Sequence, residues 1–272
     1  TINGINPAGA AADPTPVFEF APHTNTASGS GVANLTADAF GLTTVIDCDA
    51  KTQTATDWPC ATGGTFTESD GNPVIGYAAP FTDVNARASE MTDDAYSAPT
   101  TALGEVAAGV DVSMIVVAFV TDRGATQYIA GKYDTVNSEG YAIRVTAGGV
   151  VQGVANATTF GSYQLTSYGQ WNIYHLICSE DTCWLDVNGK VTGSTGARSG
   201  TLATVTAAKN FSVGCRPNGT ANDCIDGFVS NVVVRTGSAL VVNGSVAATS
   251  LQIAHEIMGV WPGHGVVKAP TI

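Results

Sequence analysis

Charge is scarce in this chain. Of 272 residues, 11 are Lys or Arg and 23 are Asp or Glu, so charged side chains make up 12%, about half the usual share for a soluble domain. A formal net charge of −12 argues against nucleic acid or an anionic membrane surface as partner. An acidic, solvated surface needs no partner to explain it. Long apolar runs are lacking too. No segment reaches the ~20 residues of a membrane-spanning helix, and the most apolar stretch, VDVSMIVVAFV at 110–120, has the length of a buried strand. No membrane insertion is expected.

Signatures of catalysis are also missing. HEIMG at 255–259 lacks the second histidine of a zinc-protease helix, and no G-x-S-x-G nucleophile elbow occurs. Glycoside hydrolysis needs two carboxylates facing each other across a cleft. The close acid pairs Asp47/Asp49, Glu68/Asp70, Asp93/Asp94 and Glu180/Asp181 are all expected in loops, so we expect no enzyme activity.

What is present is a set of six cysteines in three close pairs, Cys48/Cys60, Cys178/Cys183 and Cys215/Cys224. Six cysteines allow fifteen connectivities. Local pairing is favoured because each pair brackets a polar, turn-rich loop. Zinc is the rival reading, but no pair has C-x-x-C spacing, and His23, His175, His255 and His264 are scattered. Three disulfides imply an oxidising location, outside a cell or on a particle released from one. N-glycosylation sequons at Asn34, Asn156, Asn210, Asn218 and Asn243 are near the chance number for a chain so rich in Ser and Thr.

The stretch QWNIYHLICSEDTCWLDVNGK at 170–190 shows the dominant pattern. Trp171, Ile173, His175 and Ile177 alternate with Asn172, Tyr174, Leu176 and Cys178, a period of two that reads as a strand. Cys183–Val187 reads as its hairpin partner, and Asn188–Gly189 as the next turn, since both tolerate positive φ. Further strands are expected at 42–47, 72–77, 110–120, 126–132, 140–147, 149–155, 209–214 and 228–235, with a short one at 17–20. Short strands separated by Gly and Asn turns indicate an antiparallel sandwich. A helical stripe occurs at 248–261, with Leu251, Ala254, Ile257 and Met258 on one face.

We expect a single domain over 17–272, preceded by an arm, TINGINPAGAAADPTP at 1–16. Its Gly, Ala and Pro content gives it little means of folding on itself. It either packs along its own domain or lies on a neighbouring subunit. No charged-then-apolar leader opens the chain; a removed signal peptide and a removed initiator Met both fit a start at Thr1.

The order of SMIVVAFVTD (113–122), QYIAGKY (127–133), GYAIRVTAGGVV (140–151), QWNIYHLI (170–177), WLDVNGKV (184–191), FSVG (211–214) and DGFVSNVVV (226–234) resembles the laminin-G-like branch of the concanavalin A-like lectin/glucanase superfamily. The resemblance covers 110–235 and implies an all-β jelly roll of two antiparallel sheets, with one short C-terminal helix. It also implies binding of glycans or proteins, in some members through calcium. Members with calcium often place an acid in the closing strand, where this chain has Ser230 and Asn231. Asp226 and Glu19 are the alternative pair for a structural calcium; no other cofactor is expected.

Glycan recognition needs aromatic faces with polar groups beside them. Tyr128, Tyr133, Tyr141, Tyr163, Tyr168 and Trp184 are the candidates. Strand aromatics mostly point inward, which singles out Tyr163 and Tyr168 in GSYQLTSYGQ at 161–170, expected as an exposed loop. We therefore expect a non-catalytic surface protein with a lectin-like sandwich. A virion decoration or fibre subunit, assembled as a homo-oligomer or larger array through its arm, is one form. A secreted carbohydrate-binding adhesin is the other, and a polysaccharide-degrading enzyme a third. Neighbouring subunits and cell-surface glycans are the expected partners.

Overall fold

The computed structural model describes most of residues 42–237 and the pairs 241–242 and 245–246; residues 1–41, 71–73, 79–86, 93–94, 107–109, 135–137, 179–182, 196–208, 217–222 and 247–272, with some shorter breaks, lie outside the described residues. The arm, Glu19, the 17–20 strand and the 248–261 helix all fall there.

Strands, numbered in chain order, form two antiparallel sheets of eight. Sheet A holds β1 (Leu42–Asp49), β4 (Val74–Ala78), β5 (Arg87–Thr92), β7 (Asp111–Val120), β12 (Gln170–Cys178), β13 (Cys183–Val187), β14 (Lys190–Thr195) and β16 (Asp226–Gly237). Its order is β14-β13-β12-β7-β16-β5-β4, with β1 pairing to β16 off that path. Sheet B holds β2 (Asp57–Pro59), β3 (Thr65–Asp70), β6 (Ala95–Ser97), β8 (Gln127–Asp134), β9 (Glu139–Val145), β10 (Val150–Ala155), β11 (Thr158–Gln164) and β15 (Ser212–Val213). Its order is β11-β10-β9-β8-β15-β6-β3-β2. A small hairpin, β17 (Val241–Val242) and β18 (Ser245–Val246), stands apart. The sequence pattern thus led to the right architecture, a jelly-roll-like β-sandwich.

Register explains the core. Opposite residues of paired strands share a face, so Met114 lines up with Leu176 and Val234, and Val116 with Tyr174 and Val232. These side chains meet Ile129, Ile143, Val145, Val151 and Phe160 of sheet B in one buried cluster. β7 is apolar on both faces: Ile115 and Val117 point away from that cluster yet are buried. This is why 110–120 reads as a continuous apolar run rather than an alternation.

The three cysteine pairs are the three disulfides, Cys48–Cys60, Cys178–Cys183 and Cys215–Cys224. Cys178 and Cys183 face each other in the β12–β13 ladder, so that bridge closes the hairpin where its strands leave the turn. Asn188 follows with φ 55°. Its side chain accepts from Ile173 N (2.9 Å) and donates to Asn172 Oδ1 (2.8 Å), fixing the next turn to β12.

Several expectations differ from the structure. The acid pairs Asp47/Asp49 and Glu68/Asp70 lie in strands β1 and β3, not in loops. Asp47 is buried, and the β3–β6 pairing slips between Glu68 and Asp70. Polar strands such as TFTESD and RASEMT hide from a hydrophobic pattern because their apolar alternation is weak. Strand 209–214 shrinks to Ser212–Val213. The sequon at Asn156 sits at φ 50° with its side-chain oxygen accepting from Gly140 N (3.2 Å), and the residue is buried.

A candidate aromatic ligand-binding rim

Tyr163 and Tyr168 do not share an exposed loop. Tyr163 lies in β11, opposite Val151, and therefore points towards the core; Tyr168 follows in the connection to β12. Both are half-buried against the main core cluster. The threonine-rich β11, TTFGSYQ, carries too few apolar residues to be recognised as a strand from its pattern.

Around Tyr168 the chain brings three connections to one end of the sandwich. The Tyr168 hydroxyl donates to Thr146 O (3.4 Å) in the β9–β10 turn, and Gln164 Nε2 donates to Gly148 O (3.0 Å) in the same turn. A side chain at Gly149 would come within 3.3 Å of the Tyr168 hydroxyl, so glycine lets the turn close on the ring. Burial, followed by the nearby Asp122 carboxylate of the β7–β8 connection, raises the Tyr168 hydroxyl above its ordinary pKa. Gly169 N donates to Val120 O (2.9 Å), tying the tyrosine to the end of β7.

Beneath these rings lies Tyr174, fully buried on β12. Burial raises its pKa most, Tyr163 and Tyr168 raise it further, and the Asn172 side chain acts against them. Burial likewise raises Tyr141, whose hydroxyl donates to Gly104 O (2.8 Å). Both phenols hold their protons in the fold at pH values where the unfolded chain, with tyrosines near 10, loses them. Their stabilising contribution is complete below pH ~10 and is lost as pH rises above it, at about 1.4 kcal/mol per pH unit for each. Urea unfolding at pH 8 to 11 should show this decline. Tyr174→Phe should remove about one such increment of slope; an unchanged slope contradicts the assignment.

The sequence pattern missed a second group of rings at the same end. Trp171, Phe119 and Phe228 stand side by side across β12, β7 and β16 on the outward face of sheet A. Their centroids are 5.8 Å (Phe119–Trp171) and 5.3 Å (Phe119–Phe228) apart, in edge-to-face contact. All three are half-buried. The signal was available only as register: single aromatics in three distant segments become a row once the strands pair.

The remaining sequence candidates separate. Tyr141 is core; Trp184 is buried on the outward face of sheet A beside Ile177. Ser230 and Asn231 are buried at a bulge of β16, with Ser230 Oγ donating to Asn231 Oδ1 (2.8 Å). Asp226 opens β16; its N–H donates to Gln127 Oε1 (2.8 Å) and its carbonyl accepts from Thr121 N (2.7 Å). Its proposed calcium partner, Glu19, lies outside the described residues, among which no group of three or more His, Cys, Asp and Glu could hold a metal ion. One further arrangement invites a chemical reading: Ser113 Oγ lies 2.7 Å from His175 Nε2, and Asp186 faces His175 across the ladder. Ser113 and His175 are each only 1% exposed. The pair is sealed from solvent and belongs to the packing of the sheet's outward face.

No family model and no curated protein matches the chain. Solved structures do. Domain 4 of AbnA, an extracellular GH43 arabinanase from Geobacillus stearothermophilus solved with arabinotriose, is similar over 79% of this chain and 99% of that one, with 14% identity and a TM-score of 0.52. The Trypanosoma rangeli sialidase bound to 2,3-difluorosialic acid is similar over 80% of this chain but 33% of its own length, at 10% identity and a TM-score of 0.51. The binding domain of botulinum neurotoxin DC, solved with rat synaptotagmin II, is similar over 80% and 52%, at 11% identity and a TM-score of 0.50. These likenesses are of fold: a β-sandwich found also in an arabinanase domain, a sialidase and a neurotoxin binding domain.

Proposed function

We propose that the chain is a non-catalytic, surface-exposed protein that binds glycans through the Tyr163–Tyr168 rim. The observation that carries this is Tyr168: a half-buried ring held by Thr146, with Gln164 and Asp122 beside it. A ring presenting one face, flanked by amide and carboxylate groups that can fix hydroxyls, is the ordinary composition of a sugar subsite. The groups at the rim are suited to stacking and hydrogen bonding. The arabinotriose-bound fold neighbour supports the ligand class, and the order of motifs supports the laminin-G-like branch.

Assembly on a virion as a decoration or fibre subunit, with residues 1–16 reaching neighbouring copies, is the form we favour. The three disulfides also support a secreted adhesin, since both locations are oxidising.

Affinity electrophoresis through gels containing neutral polysaccharides (arabinan, galactan, xylan, glucan) tests the rim. Wild type should be retarded by at least one, and Tyr168→Ala should lose about ten-fold or more in affinity, as for a lost stacking ring and hydrogen bond, while melting as a folded protein. Retardation unchanged in both Tyr163→Ala and Tyr168→Ala removes the rim from the proposal. Release of oligosaccharide that one Asp or Glu substitution abolishes contradicts the non-catalytic reading.

A further inference from the structure

The outward face of sheet B carries a row of side chains that starts on a small buried cluster of Tyr128, Tyr133, Ala142 and Val154 and continues into the half-buried Arg144 and Gln152. Tyr128, Arg144 and Gln152 stand abreast on β8, β9 and β10, set there by the pairings Tyr128↔Arg144 and Arg144↔Gln152. Arg144 donates to Gln152 Oε1 from Nε (3.2 Å) and Nη2 (3.0 Å). It also donates from Nη2 to Thr159 Oγ1 (3.2 Å) and from Nη1 to the Tyr128 hydroxyl (3.3 Å). Every one of these partners is neutral. A guanidinium has five N–H donors, so one on Nη1 is left over, and among the described residues no carboxylate forms an ion pair with Arg144.

That is unusual in a chain with 23 acidic residues and 11 basic ones. A second cation stands on the same face: Arg216 lies 5.8 Å over the Tyr128 ring, with its Nη2 2.6 Å from Asp223. The Tyr133 ring stacks at 6.4 Å on Tyr128. Burial and Tyr128 raise the Tyr133 hydroxyl, and Ser138, Arg144 and Arg216 oppose them, so both guanidinium charges reach this one phenol.

We infer that Arg144 anchors a second carbohydrate site, which takes the carboxylate of an acidic sugar. Gln152 Oε1 occupies the Nε/Nη2 edge of the fork, which is where one oxygen of a carboxylate would sit, and a neutral amide is readily exchanged for a charged acceptor. Beyond Arg144, the Gln152 amide on β10 and the exposed Thr159 hydroxyl on β11 then extend the row, on neighbouring strands about 4.8 Å apart. Such a row suits a hydroxyl-rich polymer better than a point anion. The inference rests on the reading of the chain as a glycan binder, but on residues separate from the rim.

Affinity electrophoresis with polygalacturonate, colominic acid, carboxyl-reduced polygalacturonate and dextran sulfate tests it. Wild type should be retarded by at least one carboxylated polymer, less by the reduced one, and more weakly as salt rises. Arg144→Gln should lose about ten- to a hundred-fold in that affinity, the usual worth of a hydrogen bond to a charged group. Arg144→Lys should recover only part, because a point charge lacks the fork. Thermal melting confirms that each variant is folded. Tyr168→Ala should keep acidic binding and lose neutral binding. Equal retention of wild type and Arg144→Gln on the carboxylated polymers overturns the site, as does no retention at all. Equal binding to dextran sulfate shows a general anion patch and overturns the carboxylate assignment. If acidic binding fails while neutral glycans still bind through Tyr168, the second site falls and the rim stands.

Discussion

Gly227→Ala is expected to cost about 4 kcal/mol or more, the exceptional range reserved for gross core damage. Gly227 pairs with Val120 where β16 meets β7, the central pair of sheet A. A Cβ at Gly227 would lie 1.9 Å from the carbonyl oxygen of Phe119 and 2.9 Å from its carbon. The obstacle is backbone, which cannot rotate away as a side chain can, so the strands must part and lose ladder bonds on both sides. Gly124→Ala is the control. Gly124 also has a positive φ, +65°, but nothing lies within 4 Å of an added Cβ, so only the local conformational cost of about 1–2 kcal/mol applies. Urea midpoints of the two variants should differ widely. Near-equal midpoints would mean that β16 and β7 do not pair in this register.

Loss of the disulfides should be the other large effect. The bridges span 12, 5 and 9 residues. Loop-closure entropy assigns them about 2.8, 2.1 and 2.6 kcal/mol, together about 7.5 kcal/mol. That is comparable with the whole net stability of a domain, about 5–15 kcal/mol. Each bridge fastens a different part: Cys48–Cys60 joins β1 to the approach to β3, Cys178–Cys183 closes the β12–β13 hairpin, and Cys215–Cys224 closes the connection between β15 and β16. Protein refolded under strong reductant should melt about 15–25 °C below the oxidised form. Adding reductant to the folded protein should act slowly, since Cys48, Cys178, Cys183 and Cys224 are fully buried. An unchanged melting temperature after refolding without bridges would show that the core alone carries the fold.

The parts legible in the sequence were those with a strong local signal. β7, β12 and β13 announce themselves through apolar runs and alternation, and the cysteine pairs through the polar loops they enclose. β3, β5, β11 and β14 did not, because TFTESD, RASEMT, TTFGSYQ and KVTGST alternate weakly in hydrophobicity. Tyr163 shows the consequence: read as loop, it is a strand residue whose ring faces inward at the edge of the core. The Phe119–Trp171–Phe228 row and the Tyr128–Arg144–Gln152 row lie beyond sequence reasoning for another reason. Each is made by register between segments far apart in the chain, and register is decided by the whole hydrophobic set of both strands.

Binding of a fluorescently labelled wild-type chain to a microarray of neutral and acidic glycans tests the central claim most directly. A restricted set of positive glycans is expected, with the neutral ones lost in Tyr168→Ala, and no trimming of any positive glycan during prolonged incubation. Absence of signal across the array from correctly folded, disulfide-bonded protein, or hydrolysis of a bound glycan, would contradict it.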